Sequence, residues 1–234
     1  MPLVLERTQV NAPQLLHNGQ EDHFGHLFTS ELSFNVLVTT NNDAHFLHLF
    51  TGSETKYKVS LELFVNNVPS ISWEGFLLPE LFNEPLKDEG YFVEFVATDG
   101  IGLLKDKELS LSFYQDKKSV IDILHSCLSL TGLSQPIIYA EALQNAGFTL
   151  DYQDLAIQTI AYAGDTNASA YEIINYIIES LGCRLFTYKQ DWYLIGLNRF
   201  AELSIAATKY PPNSEDNIID ENIRKSIKLI LNIW

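Results

Sequence analysis

The sequence predicts an α+β chain whose antiparallel strands fit a small barrel or sandwich and are followed by helices. Three observations carry that prediction. Between Tyr57 and Thr98 apolar residues recur at every second position, the spacing of half-buried strands. Two later segments open on a serine with an acid three residues on and continue with an i, i+3, i+4 apolar stripe, the spelling of capped amphipathic helices. Hydrophobic residues make up 46% of the 234, enough for one large core or two small ones.

Residues 1–24 read as an N-terminal arm or long lead-in loop, because Asn11, Pro13, Asn18, Gly19 and Gln20 interrupt any period. A first β-barrel-like domain is expected over residues 25–115. Its first strand runs from Leu27 to Val38, with Leu32, Phe34, Val36 and Val38 on one face, and breaks at Thr39-Thr40-Asn41-Asn42-Asp43. Ala44 to Phe50 is short, apolar and aromatic. Tyr57, Val59, Leu61, Leu63 and Val65 then alternate with Lys58, Ser60 and Glu62, giving one buried and one wet face. Asn66-Asn67 turns the chain, since Asn tolerates positive φ. The return strand carries Ile71 and Trp73, and Gly75 marks a bulge or a close backbone approach.

Pro79 and Pro85 bound a loop of Glu80, Leu81, Phe82, Asn83 and Glu84, which proline keeps out of any sheet interior. Tyr91 to Thr98 is apolar on nearly both faces and so predicts a central or doubly covered strand. Asp99-Gly100 closes it as a turn, the carboxylate bonding back to the backbone and the glycine supplying positive φ. Leu109 to Phe113 is a further alternating run.

A second α+β domain is expected over residues 116–200. Ser119 and Asp122 open a helix lined by Val120, Ile121, Leu124 and Leu128 and stopped at Gly132. Ser169 and Glu172 open another, lined by Ile173, Ile174, Ile177, Ile178 and Leu181 and stopped at Gly182. Between them Pro136 to Ala140 reads as a short strand, Glu141 to Ala146 as a helical turn, and residues 148–168 as linking segment. Arg184 to Tyr188 and Trp192 to Gly196 read as a hairpin around Lys189-Gln190-Asp191. Residues 201–234 read as a linker, through Pro211 to Asn217, and a C-terminal helical tail from Ile219 to Ile233. Its apolar ending on Trp234 is expected of a docked tail or a chain cut short.

Charge narrows the partners. The net charge is −15, from 30 acids against 15 bases, so a phosphate backbone is repelled by the average field and nucleic acid is not an expected partner. Before residue 100 the bases are Arg7, Lys56, Lys58 and Lys87 alone. No apolar run reaches membrane-spanning length and Met1 to Arg7 is no signal peptide, which predicts a chain made in the cytoplasm. Cys127 and Cys183 lie in apolar contexts and read as buried thiols of a reducing compartment.

The sequence offers little reaction chemistry. His45 and His48, three apart on a strand, would point to opposite faces, which defeats joint metal ligation; His23 and His26 could chelate only from a loop. No Gly-x-Ser-x-Gly elbow occurs, and Cys183 has only Arg184 as a local basic neighbour. Carboxylate pairs such as Glu80 with Glu84 or Glu94 with Asp99 can be drawn, but 30 acids make such pairs uninformative. Gly100-x-Gly102 lacks the rest of a dinucleotide fingerprint. No catalytic residue, metal or cofactor is expected. The aromatic excess of the strands reads as core and subunit contact.

Taken in order, Phe46-Leu47-His48-Leu49-Phe50-Thr51-Gly52, Tyr57-Lys58-Val59, Trp73-Glu74-Gly75-Phe76-Leu77-Leu78-Pro79-Glu80-Leu81, Glu84-Pro85, Tyr91-Phe92-Val93 and Ala97-Thr98-Asp99-Gly100-Ile101-Gly102-Leu103-Leu104-Lys105 resemble the amino-terminal region of phage tail hub or baseplate proteins of Bacteroidetes phages and prophages. Ser169-Ala170-Tyr171-Glu172-Ile173-Ile174, Gly182-Cys183-Arg184-Leu185-Phe186 and Trp192-Tyr193-Leu194-Ile195 resemble the second part of the same proteins. Together the likeness covers about residues 25–200. It implies tail-tube-type barrel domains, each a curved antiparallel sheet flanked by a helix, assembled with other tail proteins as a ring joining tail tube to tip in the virion. A homotrimer is the first expectation, with Glu80, Leu81, Phe82 and Glu84 as the subunit-contact loop. Members of that family are usually longer and return to the first barrel after the second, so this sequence departs from them in length. Two other readings stay open: a tail-associated glycan or cell-wall hydrolase using Glu80 or Asp99, and a glycan-binding module with an exposed aromatic row around Trp73 or Trp192.

Overall fold

The structure is a computed structural model and describes residues 3–6, 12–18, 25–39, 49, 53–65, 68–79, 90–110, 113, 118–140, 143–145, 148–150, 156–157, 168–197, 207–210 and 225–233. In chain order the strands are β1 (Leu3–Glu6), β2 (Gln14–Asn18), β3 (Thr29–Val38), β4 (Tyr57–Val65), β5 (Val68–Leu77), β6 (Tyr91–Thr98), β7 (Lys118–Ser119), β8 (Ile137–Ala140), β9 (Leu143–Asn145), β10 (Phe148–Leu150), β11 (Ala156–Ile157), β12 (Cys183–Tyr188), β13 (Asp191–Gly196), β14 (Ala207–Tyr210) and β15 (Lys225–Ile233). The helices are α1 (Val120–Ser129) and α2 (Ala170–Ser180), with a 3-10 helix over Ile101–Asp106. The fold is α+β, and it divides into two compact units. One is built from Met1–Asn18, Ser30–Asp99 and Ile219–Trp234, the other from Gly19–Thr29 and Gly100–Ile218.

The first unit holds a seven-stranded sheet in the order β1-β15-β4-β5-β6-β3-β2. Strands β4, β5, β6 and β3 pair antiparallel in succession, whereas β15 runs parallel to both β4 and β1. Period-two alternation sets the faces as expected: Leu32, Phe34, Val36 and Val38 of β3 are buried together with Tyr57, Val59 and Leu61 of β4 and Val93, Phe95 and Ala97 of β6. Phe34 and Phe95 stack across the β3/β6 pair with ring centroids 5.7 Å apart. Strand β6 is central, between β5 and β3, although Phe92 on its outer face remains 42% exposed.

Covalent geometry favours a curled sheet. Strands β1 and β2 stand at its opposite ends, yet only residues 7–13 join them. Six interstrand spacings of about 4.8 Å would set them about 29 Å apart in a flat sheet. That is close to the full reach of the connecting chain at about 3.4 Å per residue. Curling also brings β3, β4, β5 and β6 around one apolar cluster, against which Leu15 of β2 packs. Among the described residues the sheet does not close into a barrel.

Several expectations are corrected here. The lead-in arm contains β1, whose partner β15 lies far along the chain, and β2, which lies beside β3. The tail expected to be helical is strand β15, paired with β4 from Lys225↔Tyr57 to Ile233↔Val65. The reason is legible afterwards: Ile227, Leu229, Leu231 and Ile233 alternate with Lys228, Ile230 and Asn232, a period of two rich in β-branched residues. This strand returns the chain to the first sheet after the second unit. In place of a helical turn after Glu141, β9 pairs antiparallel with β10. The strand expected over Leu109 to Phe113 is not formed in its described residues; Phe113 closes a short turn onto the Ser110 carbonyl at 2.9 Å.

The second unit carries a four-stranded sheet, β12-β13-β8-β14. Both helices begin with the expected capping boxes: Ser119 with Asp122 and Ser169 with Glu172, each serine accepting from the acid's backbone N–H and each acid accepting from the serine's. The expected stripes are buried except for Leu181, which is half-buried, and α2 packs against α1, β12 and the 3-10 helix. The hairpin is tighter than the sequence suggests. Tyr188 pairs directly with Asp191, so the loop is Lys189-Gln190 alone, and both take positive φ, 50° and 66°.

That turn is the I′ geometry matching the twist of the strands, filled by residues that resist it. Replacing Lys189-Gln190 with Asn-Gly is expected to stabilise the protein by about 1 kcal/mol, read as a higher urea midpoint at unchanged slope. Ser169→Ala removes a cap and is expected to cost about 1 kcal/mol in the same measurement.

Candidate functional site

The most elaborate polar arrangement in the first unit joins three strands. Ser30, at the start of β3, donates from its backbone N–H and from its hydroxyl to Asp99 Oδ2, the latter over 2.8 Å. Asp99 N–H donates to the Ser30 carbonyl at 3.1 Å. From β5 the Trp73 indole Nε1–H donates to Ser30 Oγ at 2.9 Å. All three residues are buried, Asp99 completely. A buried carboxylate keeps its charge only when donors converge on it, and Ser30 supplies two.

Gly75 makes room for this arrangement. A Cβ at that position would lie 2.3 Å from the Thr98 carbonyl oxygen and 2.3 Å from the Trp73 ring. The indole therefore lies against bare backbone, the close approach its place in β5 suggested. Gly100, at φ 83°, supplies the left-handed residue expected after Asp99 and caps the 3-10 helix. The Asp99 side chain also bonds across to Ser30, a partner that its place in the turn does not announce.

This geometry holds strands and lacks the parts of a reaction centre. An aspartate is too weak a base to activate a serine hydroxyl without an imidazole between them, and here the hydroxyl is already spent on Asp99 and Trp73. Glu94 stands exposed on the outer face of β6 while Asp99 is buried, so the pair drawn from sequence does not converge. Glu80, Leu81, Phe82 and Glu84, the proposed contact loop, lie outside the described residues, as do His23, His45 and His48.

In the second unit the segment before β3 runs along β12. Leu27 bridges Leu185 in parallel, Phe28 N–H donates to the Leu185 carbonyl at 2.9 Å, and Leu185 N–H donates to the His26 carbonyl at 2.8 Å. His26 Nδ1 meets the Cys183 carbonyl at 2.8 Å. Arg184 Nε donates to the Gly25 carbonyl at 2.9 Å, and its guanidinium lies 4.2 Å from the Phe28 ring centroid. His26 and Arg184 thus hold this segment on the sheet edge. Among the described residues no three His, Cys, Asp or Glu side chains gather as a metal site. Both cysteines are buried and outside any disulfide, and burial pushes the Cys127 thiol up to about 12.

Trp73 and Trp192 are 3% and 0% exposed, so the aromatic row that a glycan platform would need does not form around them. The aromatic rings nearer solvent are elsewhere. Phe186 and Tyr193 stack across β12 and β13 at 5.5 Å, Tyr188 meets Tyr193 edge-on at 5.9 Å, and Tyr188 is 52% exposed. Partial burial, then Asp191, then Tyr188 raise the Tyr193 phenol above its ordinary value.

Gly75→Ala is expected to cost about 3 kcal/mol, because a backbone carbonyl blocks the new methyl. Asp99→Ala, which strands the Ser30 donors, is expected to cost a similar amount, about 3 kcal/mol, and Trp73→Phe about 1 kcal/mol, all by urea denaturation. Cys127 is expected to stay unreactive toward a thiol-specific disulfide reagent in the native state at pH 8 and to react on unfolding. Its raised folded value adds stability that is complete below pH 9 and is lost as pH climbs toward about 12. The chain matches no protein-family model, no curated protein and no solved structure.

Proposed function

We propose that this chain is a structural subunit of a phage or prophage tail, of the hub or baseplate type, assembling as a ring between tail tube and tip. The observation that carries this reading is the return of β15 to the first sheet after the second unit. Proteins of the family that the sequence resembles are laid out in that order: first barrel, second domain, return. Within this reading the curled sheet is a tail-tube-type wall whose terminal strands, β1 and β2, meet neighbouring subunits. Its work is mechanical and requires no reacting group. The polar arrangement at Asp99 serves that role by fixing the wall.

The test is the oligomeric state of the full chain, by light scattering coupled to size exclusion and by negative-stain microscopy of the same fractions. A closed ring, with three subunits as the expected number, supports the reading. A monomer at the highest attainable concentration, together with turnover of peptidoglycan that Asp99→Asn abolishes, would replace it with a hydrolase.

A further inference from the structure

Within the second unit two buried polar atoms of opposite character lie on one face of the sheet. Trp192 and Gln135 are 0% and 6% exposed, and neither the indole Nε1–H nor Gln135 Oε1 has a hydrogen-bond partner among the described residues. Their backbones are neighbours: Trp192 N–H donates to the carbonyl of Pro136 at 2.9 Å, and Trp192 pairs with Ile137 in the parallel β13/β8 register. Gln135 is two residues before Ile137 in a segment whose burial alternates, so it shares the face of Ile137 and Trp192. That makes Gln135 and Trp192 diagonal neighbours across the β8/β13 pairing. Thr187, directly opposite Trp192 on β12, is buried on the same face.

We infer that Trp192 Nε1 and Gln135 Oε1 are the two walls of an internal water site on the buried face of this sheet. One water accepts from the indole and donates to the amide oxygen, so a single molecule satisfies both groups. A buried donor and a buried acceptor that lack protein partners are the groups an internal water bridges. A buried indole N–H and a buried amide oxygen each lose more by remaining unpaired than a water loses by being held. The bridge also fixes register: sliding β13 by one residue against β8 would turn Trp192 to the opposite face and separate donor from acceptor.

The test uses the full chain labelled with 15N, with the indole resonance of Trp192 assigned by its loss in Trp192→Phe. Expected is a solvent-protected indole proton that shows a direct cross-relaxation peak to water of long residence, and loss of that peak in Gln135→Leu. A cross-peak to the Gln135 side chain or to another residue in place of water overturns the site, as does a water peak that Gln135→Leu leaves unchanged. Folding equilibria give a second reading. Trp192→Phe and Gln135→Leu are each expected to lower the folding constant about tenfold, and the double variant no further than the stronger single change. If the two effects simply multiply, or if Trp192→Phe raises the constant, the shared site is wrong.

Discussion

The first sheet depends on the bond between Ser30 and Asp99. Strands β4 and β5 pair along most of their length, as do β3 and β6, but among the described residues β5 meets β6 only at its end, through Phe76↔Thr98, Leu77↔Ala97 and the bond from Leu78 N–H to the Val96 carbonyl. Two long ribbons therefore meet at a short seam. At the end of that seam Asp99 ties β6 to the start of β3, and the Trp73 indole reaches from β5 past β6 to the same serine. In a flat sheet β5 and β3 would stand two spacings apart, about 10 Å. Curling the ribbons over the core shortens the path, and the absence of a side chain at Gly75 lets the indole lie low enough to take it. The polar arrangement and the curl are one constraint seen from two sides.

The second unit is ordered by local rules applied twice. Ser119 and Ser169 adopt nearly the same backbone angles, φ −68° with ψ 157° and 156°, and each is bridged to another segment immediately before its helix, Ser119 to Ala156 and Ser169 to Glu108. The capping box satisfies the first N–H groups of the helix, while the bridge fixes where the helix starts. Two helices anchored in this way present their apolar stripes at defined positions.

How much of this could be read from residues follows from the range of the interaction concerned. Strands β3, β4 and β6, both helices and the β12/β13 hairpin were legible because alternation, caps and turns are written within ten residues of where they act. Gly75 was legible as a close approach, though not what approached it. Strands β1 and β15 were not, because each is defined by a partner in a distant part of the chain, and a short apolar run such as Ile227 to Ile233 suits helix or strand until that partner is known. Ser30 carried no signal at all: it became the hub of the polar arrangement only through Asp99, 69 residues on. The division into units was hidden for the same reason, since the first unit is assembled from three separated stretches.

That discontinuity has a consequence for how the fold is completed. The second unit is drawn mostly from Gly100–Ile218 and can gather its helices and hairpin from near neighbours, whereas the first sheet lacks a strand until residues 225–233 arrive. Until then β4 is a nine-residue strand with an open edge, rich in apolar residues and prone to pair with the wrong chain. Its outer face carries the charges that blunt such pairing: Lys58, held to Glu74 of β5 at 2.6 Å, and Glu62. The ion pair contributes little to stability at its exposure. Its value lies in keeping the waiting edge soluble, and parallel β15 then covers the edge and hands the exposed position on to β1, a strand of four residues and a far shorter template.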